Sequence, residues 1–279
     1  MARTKALSLL QEAGVKGDLK EIYGIVIDNV MKDTLSGVLK SQSYTGNPVA
    51  GSVEFKRFEN SEAKDYGTAR AAQKGDTITA PPVTVNLDLH KEIVEECSKF
   101  DLDTFGVAKI MARRASNHID TMTTHLDTAF FATACASAQA FTPTKTDPIE
   151  ILEEAILTLE LVKNKHVRGT NRTNHRLILS PAYYSEVRNK LDSVINSNVD
   201  TAAEEFGTLH GVRVYSSINL PNGYDFLLMH NGAVAQPVIF TQYSEPEKLQ
   251  LSNDYAVSLF FDYGVKALTP DLIFAKASE

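Results

Sequence analysis

The chain has 279 residues, with 28 Lys+Arg against 35 Asp+Glu, a formal charge of −7, two cysteines and no tryptophan. A chain of this length buries a sizeable core as one large domain or two modest ones, and 43% hydrophobic with 23% charged residues describes a globular protein, not a disordered or fibrous one. The acidic balance argues against a dedicated nucleic-acid binder, two cysteines suit a reducing compartment, and no stretch reaches the ~18 consecutive apolar residues of a membrane helix or shows the apolar run of a signal peptide.

In chain order, Leu7, Leu10, Ile22, Ile25, Val26, Val30 and Leu35 recur at loose helical spacing, interrupted by Gly14, Gly17 and Gly24. Such short amphipathic pieces make no core alone. Ser41 to Val49, with Gly46-Asn47-Pro48, reads as a turn or linker, so residues 1–49 read as an arm that needs something to lie against. Residues 51–58 alternate briefly through Val53 and Phe55, and residues 83–90 alternate without a break, which predicts a strand in each place. Pro81-Pro82 falls just before the second, where a strand tolerates it. Between them Glu59 to Asp76 is charged, small and Gly-rich, with little to bury. Connections longer than ~12–15 residues are uncommon in compact domains and are functional or disordered. An isolated hairpin is marginal in water, so this one is expected to project and be stabilised from outside, or to be a plain surface loop.

A long helix follows, with Asp101 or Asp103 as its cap and Val107, Ile110, Met111, Ala115, Ile119, Met122, Leu126 and Phe130 in steps of three and four. Arg113, Arg114, Asn117, Asp120 and Asp127 fall on its other faces. Pro143 and Pro148 mark a boundary before a second helix with Ile149, Leu152, Ile156, Leu159 and Val162. Arg176 to Leu179 predicts a strand, and Ser180-Pro181 a third helix capped by the serine. Further strands are expected at Val212–Val214, Phe226–Met229, Val238–Thr241, Val257–Val265 and Leu272–Ala275.

The chain carries few chemical signatures. Asp101-Leu102-Asp103 with Gly106 resembles the opening of a calcium loop, but Phe105 and Ala112 stand where oxygen ligands are needed. His118 and His125 lack metal-ligand spacing and read as a surface or interface pair. Glu95-Glu96, Glu153-Glu154 and Glu204-Glu205 read as solvated neighbours, not acid–base dyads, and Cys97 and Cys135 as buried free thiols. Asn171-Arg172-Thr173 is a glycosylation sequon by spelling only. Nucleophile elbows, phosphate-binding loops and dinucleotide fingerprints are missing from the sequence. No enzyme activity and no cofactor are expected.

The order of parts resembles the major capsid protein of tailed bacteriophages, the Hong Kong 97 fold. Arg176-Leu177-Ile178-Leu179-Ser180-Pro181-Ala182-Tyr183-Tyr184 is similar to the strand-to-helix step of that family's axial domain. Gly207-Thr208-Leu209-His210-Gly211-Val212-Arg213-Val214 with Ser217-Ile218-Asn219-Leu220-Pro221 resembles a further family stretch. So does Phe261-Asp262-Tyr263-Gly264-Val265-Lys266-Ala267-Leu268 with Pro270. The resemblance spans about residues 50–275. It implies an α+β capsid fold with an N-terminal arm (1–49), an extended β-hairpin loop (50–90), a peripheral domain with the spine helix (91–144), an α/β axial domain (145–235) and return strands (236–279). It also implies self-assembly into pentamers and hexamers of an icosahedral virion shell, built in the host cytoplasm and enclosing double-stranded DNA without sequence-specific binding.

Contacts between subunits are then expected at Val53, Phe55, Lys56, Arg57, Phe58, Lys64, Tyr66, Arg70, Lys74, Arg113 and Arg114. Lys56, Lys64 and Lys74 are available should the chain share the hairpin-lysine cross-link of some members. An arm too short for a fused scaffold implies a separate scaffolding protein or none, and portal and decoration proteins are possible partners. Two alternatives stand beside this reading: an encapsulin-type bacterial nanocompartment with the same fold, and a cytosolic α/β enzyme.

Overall fold

A computed structural model describes residues 21–30, 34–44, 48, 51–68, 71, 75, 77–98, 105–192, 207–241, 247–249 and 254–278. Helix α1 (residues 21–30) and the short helix α2 (Leu35–Leu39) precede strands β1 (Ser52–Lys56), β2 (Pro82–Asn86) and β3 (Leu89–Cys97). Helix α3 (Val107–Ser137) leads through β4 (Gln139–Ala140) to helix α4 (Pro148–Glu160), β5 (His175–Leu179) and helix α5 (Pro181–Asp192). Strands β6 (Thr208–Leu209), β7 (Val212–Ser216), β8 (Tyr224–His230), β9 (Val234–Ala235), β10 (Val238–Thr241), β11 (Glu247–Lys248), β12 (Tyr255–Tyr263), β13 (Lys266–Ala267) and β14 (Ile273–Ala277) complete the described chain. Two compact units result: Met1–Val38 with Asn86–Asp127 and Pro237–Gly264, and Leu39–Val85 with Thr128–Gln236 and Val265–Glu279.

The first unit centres on β12. Val257, Leu259, Phe261 and Tyr263 are buried in alternation with more exposed neighbours, the period of a strand with one core face. Tyr255–Tyr263 pairs antiparallel with β3 on one edge, and with β10 and β11 on the other. The sequence predicts one strand over 83–90. The structure instead ends β2 at Asn86 and starts β3 at Leu89, which continues to Cys97. The stretch LHKEIVEEC has no clean alternation, and the ladder that β12 offers all along it makes it a strand. At the end of β12, Gly264 approaches the backbone so closely that a Cβ there would lie 1.8 Å from Asn86 O.

Helix α3 keeps the predicted register: Met111, Ile119, Met122, Leu126 and Phe130 are buried. Two polar residues of α3 are buried. Asp127, on another face than the apolar stripe, accepts hydrogen bonds through its carboxylate from Ser36 N at 2.9 Å and Leu35 N at 3.3 Å, capping α2 from a distant part of the chain. His118 is also buried and lies 3.2 Å from Glu95 on β3, while His125 is exposed, so the two do not form a surface pair. The proposed cap residues Asp101 and Asp103 lie outside the described residues.

The second unit holds a six-stranded mixed sheet in the order β4-β14-β8-β5-β7-β6. Leu177, Leu179, Val212, Phe226, Leu228 and Phe274 point from it into a core shared with Leu152, Ile156 and Leu159 of α4 and Val187 of α5. Ile178, Leu227, Met229 and Ile273 on the opposite face are buried too, so β5 and β8 read as continuous apolar runs. Asp147 caps α4, accepting from Ile149 N at 3.0 Å with Pro148 in its first turn, and the Ser180 hydroxyl accepts from Tyr183 N at 3.3 Å at the start of α5. His210 and Gly211, at φ 48° and 86°, make the tight left-handed turn that joins β6 to β7. Arg172 braces that turn, donating to His210 O at 3.2 Å and pairing with Glu153 at 2.9 Å and Glu160 at 2.8 Å. Glu153 is thus engaged in an ion pair.

Residues expected to form a detached arm are partly held by the chain itself. Ser41 N donates to Val234 O at 2.8 Å and Gly232 N to Leu39 O at 3.0 Å. Val26, Val30 and Leu39 are fully buried.

Candidate inter-subunit surface

Strands β1 and β2 form their own two-stranded sheet. One face carries Val53, Phe55 and Val85 into a small cluster with Ala235 and Leu268, while Glu54, Lys56 and Thr84 stay exposed. Val53 and Phe55, expected as contacts to a neighbour, are 1% and 5% exposed and belong to the chain's own core. The pleat explains this: alternate side chains point to opposite faces, and the apolar set faces inward.

Past β1 the chain is clamped. Arg57 makes a bidentate pair with Asp271, Nη1–Oδ1 and Nη2–Oδ2 both at 2.7 Å. Asn164 Nδ2 donates to the same carboxylate at 2.5 Å. Burial pushes the Asp271 carboxyl up, but the hydrogen bonds from Arg57 and Asn164 outweigh it and hold the group below the ordinary carboxylate range. The loop after α4 supplies the rest: Asn60 N donates to Lys165 O at 2.8 Å, His166 Nδ1 to Phe58 O at 3.1 Å, Lys165 Nζ to Glu59 at 2.8 Å, and Arg168 to Ser61 O. The hydrogen bond from Lys165 depresses the Glu59 carboxyl. The loop is itself stiffened by the Asn164 side chain, which accepts from His166 N and Val167 N.

Beyond Ser61 almost every described residue up to Pro82 is exposed. Three large apolar side chains stand out along the connection: Phe58 at 60%, Tyr66 at 93% and Ile78 at 82% exposure. Lys56 and Lys64 are exposed as well, whereas Arg70 and Lys74 lie outside the described residues. On α3, Arg114 is drawn to Glu95 at 2.6 Å and Arg113 lies over the Phe105 ring at 5.5 Å. Burial raises the Glu95 carboxyl, yet Arg114 and His118 together hold it low, so Glu95 is an ion-pair partner, not a solvated neighbour. The structure therefore gathers Val53, Phe55, Arg57 and Phe58 with Asp271, Asn164, Lys165, His166 and Arg168 at the hairpin base. The last five carry no local sequence signal, because their partners lie more than a hundred positions away.

Other candidate chemistry stays separate. Cys135 is buried, and burial pushes its thiol up to about 12, an inert state, while the Cys97 side chain, Glu204 and Glu205 lie outside the described residues. Asn171 caps a short turn, accepting from Thr173 N at 3.1 Å. Among the described residues no group of three or more His, Cys, Asp or Glu could hold a metal ion, and no helix is long and apolar enough to cross a membrane.

No family model and no curated protein matches the chain. Solved structures do. A chain of Mycobacterium phage Che8 aligns with TM-score 0.63 and 19% identity over 86% of this chain and 93% of that one. The capsid structure of cyanophage P-SCSP1u aligns with TM-score 0.63 and 13% identity over 88% of each chain. A virus-like particle from Pyrococcus furiosus aligns with TM-score 0.54 and 12% identity over 92% of this chain and 98% of that one. The chain has the α+β Hong Kong 97-type fold that its sequence resembles.

Proposed function

We propose that this chain is a major capsid protein, copies of which assemble into the icosahedral shell of a tailed bacteriophage around double-stranded DNA. The observation that carries this reading is the fold likeness over nearly the whole of both chains, with TM-score 0.63 to the phage structures. The hairpin supports it. Its root is anchored within the subunit, and the exposed side chains of Phe58 at that root and of Tyr66 and Ile78 further along face outward. Each such side chain is worth roughly 1.5–3 kcal/mol if fully buried. Repetition around a closed shell makes weak contacts collectively strong. In this reading the stretch from Glu62 to Ile78, with Lys64, Arg70 and Lys74, lies over a neighbouring copy, and the exposed side chains of Lys56 and Phe58 at the root face the same copy. Arg113 and Arg114 belong to a peripheral part, and the six-stranded sheet belongs to the axial part that gathers five or six copies. Candidate partners in this reading are a portal, decoration proteins and either a separate scaffolding protein or none.

Sedimentation and electron microscopy of the purified chain test the reading: closed shells are expected, and a small species under every assembly condition overturns it. Deleting residues 62–76, which spares the clamp at Arg57, Glu59 and Asn60, is expected to leave a folded subunit that forms no shells. A second reading, a nanocompartment shell, is favoured by coverage of 98% of the Pyrococcus furiosus chain, but at the lower TM-score of 0.54. Shells that co-purify with a protein cargo instead of DNA would establish it.

A further inference from the structure

Where β5 meets β8, hydrogen bonds fix the proton of a buried histidine. His175 is fully buried at the start of β5, opposite His230 in the antiparallel register. Its Nε2 lies 2.8 Å from Thr170 Oγ1, which itself donates to Leu159 O at 2.8 Å. A hydroxyl has a single proton, so toward His175 it can only accept, and Nε2 carries the hydrogen. Nδ1 is then a bare, buried lone pair with no hydrogen-bond partner. The His230 ring stands 6.4 Å away, edge-on, and donates from its own Nδ1 to Asn231 O at 2.8 Å.

This pocket accepts neutral imidazole and rejects imidazolium. A proton on Nδ1 would create a buried cationic donor with no acceptor. The charged and titratable groups that face it are His230 from β8, Glu160 from α4, Arg172 from the turn before β5 and Arg176 from β5. Of these only Glu160 attracts a cation, and Arg172 already grips it at 2.8 and 3.0 Å. Burial first, then His230 and the two arginines, lower the His175 pKa to about 4 against the pull of Glu160.

The same loop connects this corner to the hairpin. Thr170 sits at its far end, with Thr170 N donating to Glu160 O at 3.1 Å, and its tip holds the hairpin base through Lys165, His166 and Arg168. We propose that His175, Thr170 and His230 form an acid-operated latch: protonation of His175 Nδ1 leaves the bond from Nε2 to Thr170 in place but puts an unsolvated charge in the pocket, and opening of the 161–170 loop off β5, which lets water reach that charge, frees the hairpin base with it. The folded-state pKa lies below the ordinary histidine value of 6.5, so the latch is fully closed above that pH and weakens as pH falls toward about 4. If the open loop exposes an ordinary histidine, the open-to-closed ratio rises about fifty-fold between pH 7 and pH 4.5.

Amide hydrogen exchange on the purified chain, corrected for the intrinsic pH dependence of exchange, tests this. Protection of residues 57–61 and 159–170 is expected to fall about fifty-fold between pH 7 and pH 4.5. His175→Gln keeps an amide donor for Thr170 and cannot titrate, so it should abolish that fall. His166→Gln removes the exposed histidine on the same loop and should leave it intact. Ring nitrogen shifts should show His175 protonated on Nε2 at pH 7. Thr170→Val, which keeps the histidine and deletes its acceptor, should expose the loop already at pH 7. An unchanged wild-type profile, a pH dependence that survives His175→Gln or vanishes in His166→Gln, an Nδ1–H tautomer, or full protection in Thr170→Val each overturns the latch.

Discussion

The six-stranded sheet and the small β1–β2 sheet meet the same need, burial of apolar side chains, in different ways. The larger sheet is covered on both faces, and β5 contributes His175, Leu177, Ile178 and Leu179, all fully buried. The smaller one buries a single face through Val53, Phe55 and Val85 and leaves the other to solvent. Two strands with so little apolar cover are marginal alone. Here the deficit is met by directed polar contacts: the Arg57–Asp271 pair, the Asn164 bond and the backbone link from Asn60 to Lys165. A hairpin root can thus be held in one orientation with almost no core, which leaves the large apolar side chains further out for another surface.

Substitutions sharpen that contrast. Leu177→Ala should cost about 2–5 kcal/mol in denaturant unfolding, because the sheet is packed on both sides and cannot collapse around the cavity. Asp271→Ala strips the acceptor from half-buried Arg57 and from Asn164, and roughly 1–3 kcal/mol is expected. The loss should be local: exchange protection falls in residues 57–61 and stays in β5 and β8. Equal loss in both places would break the distinction between them. The acid side follows from the sign of the shift. The Asp271 carboxyl is held below its ordinary value, so its contribution is complete above about pH 4 and disappears as pH falls through the lower folded value. Asp271→Asn should remove that part of the acid sensitivity.

The larger sheet was largely legible in the sequence, and the hairpin clamp was not. Leu177-Ile178-Leu179 is an unbroken apolar run closed by Ser180-Pro181, so strand, cap and helix announce themselves locally. The alternation of Val257, Leu259, Phe261 and Tyr263 does the same for β12. β3 is different: Leu89 to Cys97 mixes charge and apolar residues without period, and its partner is far along the chain. At Asp127 and His118 polarity is the only local clue, and it does not point to burial, because their partners, the α2 amides and Glu95, are not sequence neighbours. Of the proposed contact face, Phe58 and Tyr66 were visible as apolar residues in a polar stretch. Nothing near Arg57 pointed to Asp271, which lies 214 positions on.

The smallest effect on the subunit should accompany the most specific effect on assembly. Phe58 and Ile78 are 60% and 82% exposed, so their side chains contribute little to the subunit's own fold. Replacing both with serine removes apolar area that water already touches, and the unfolding free energy should change by no more than ~0.5 kcal/mol. If the same side chains are buried between copies, each subunit loses roughly 1.5–3 kcal/mol per fully buried residue at every contact it makes. Each 1.4 kcal/mol is about tenfold in an equilibrium constant, so the subunit concentration at which light scattering reports shells should rise at least tenfold. Unchanged assembly in the Phe58→Ser, Ile78→Ser variant would place the shell contacts elsewhere. A large loss of subunit stability would mean that these side chains support the hairpin root, and that the hairpin lacks the division between anchored base and outward-facing stretch on which its proposed role depends.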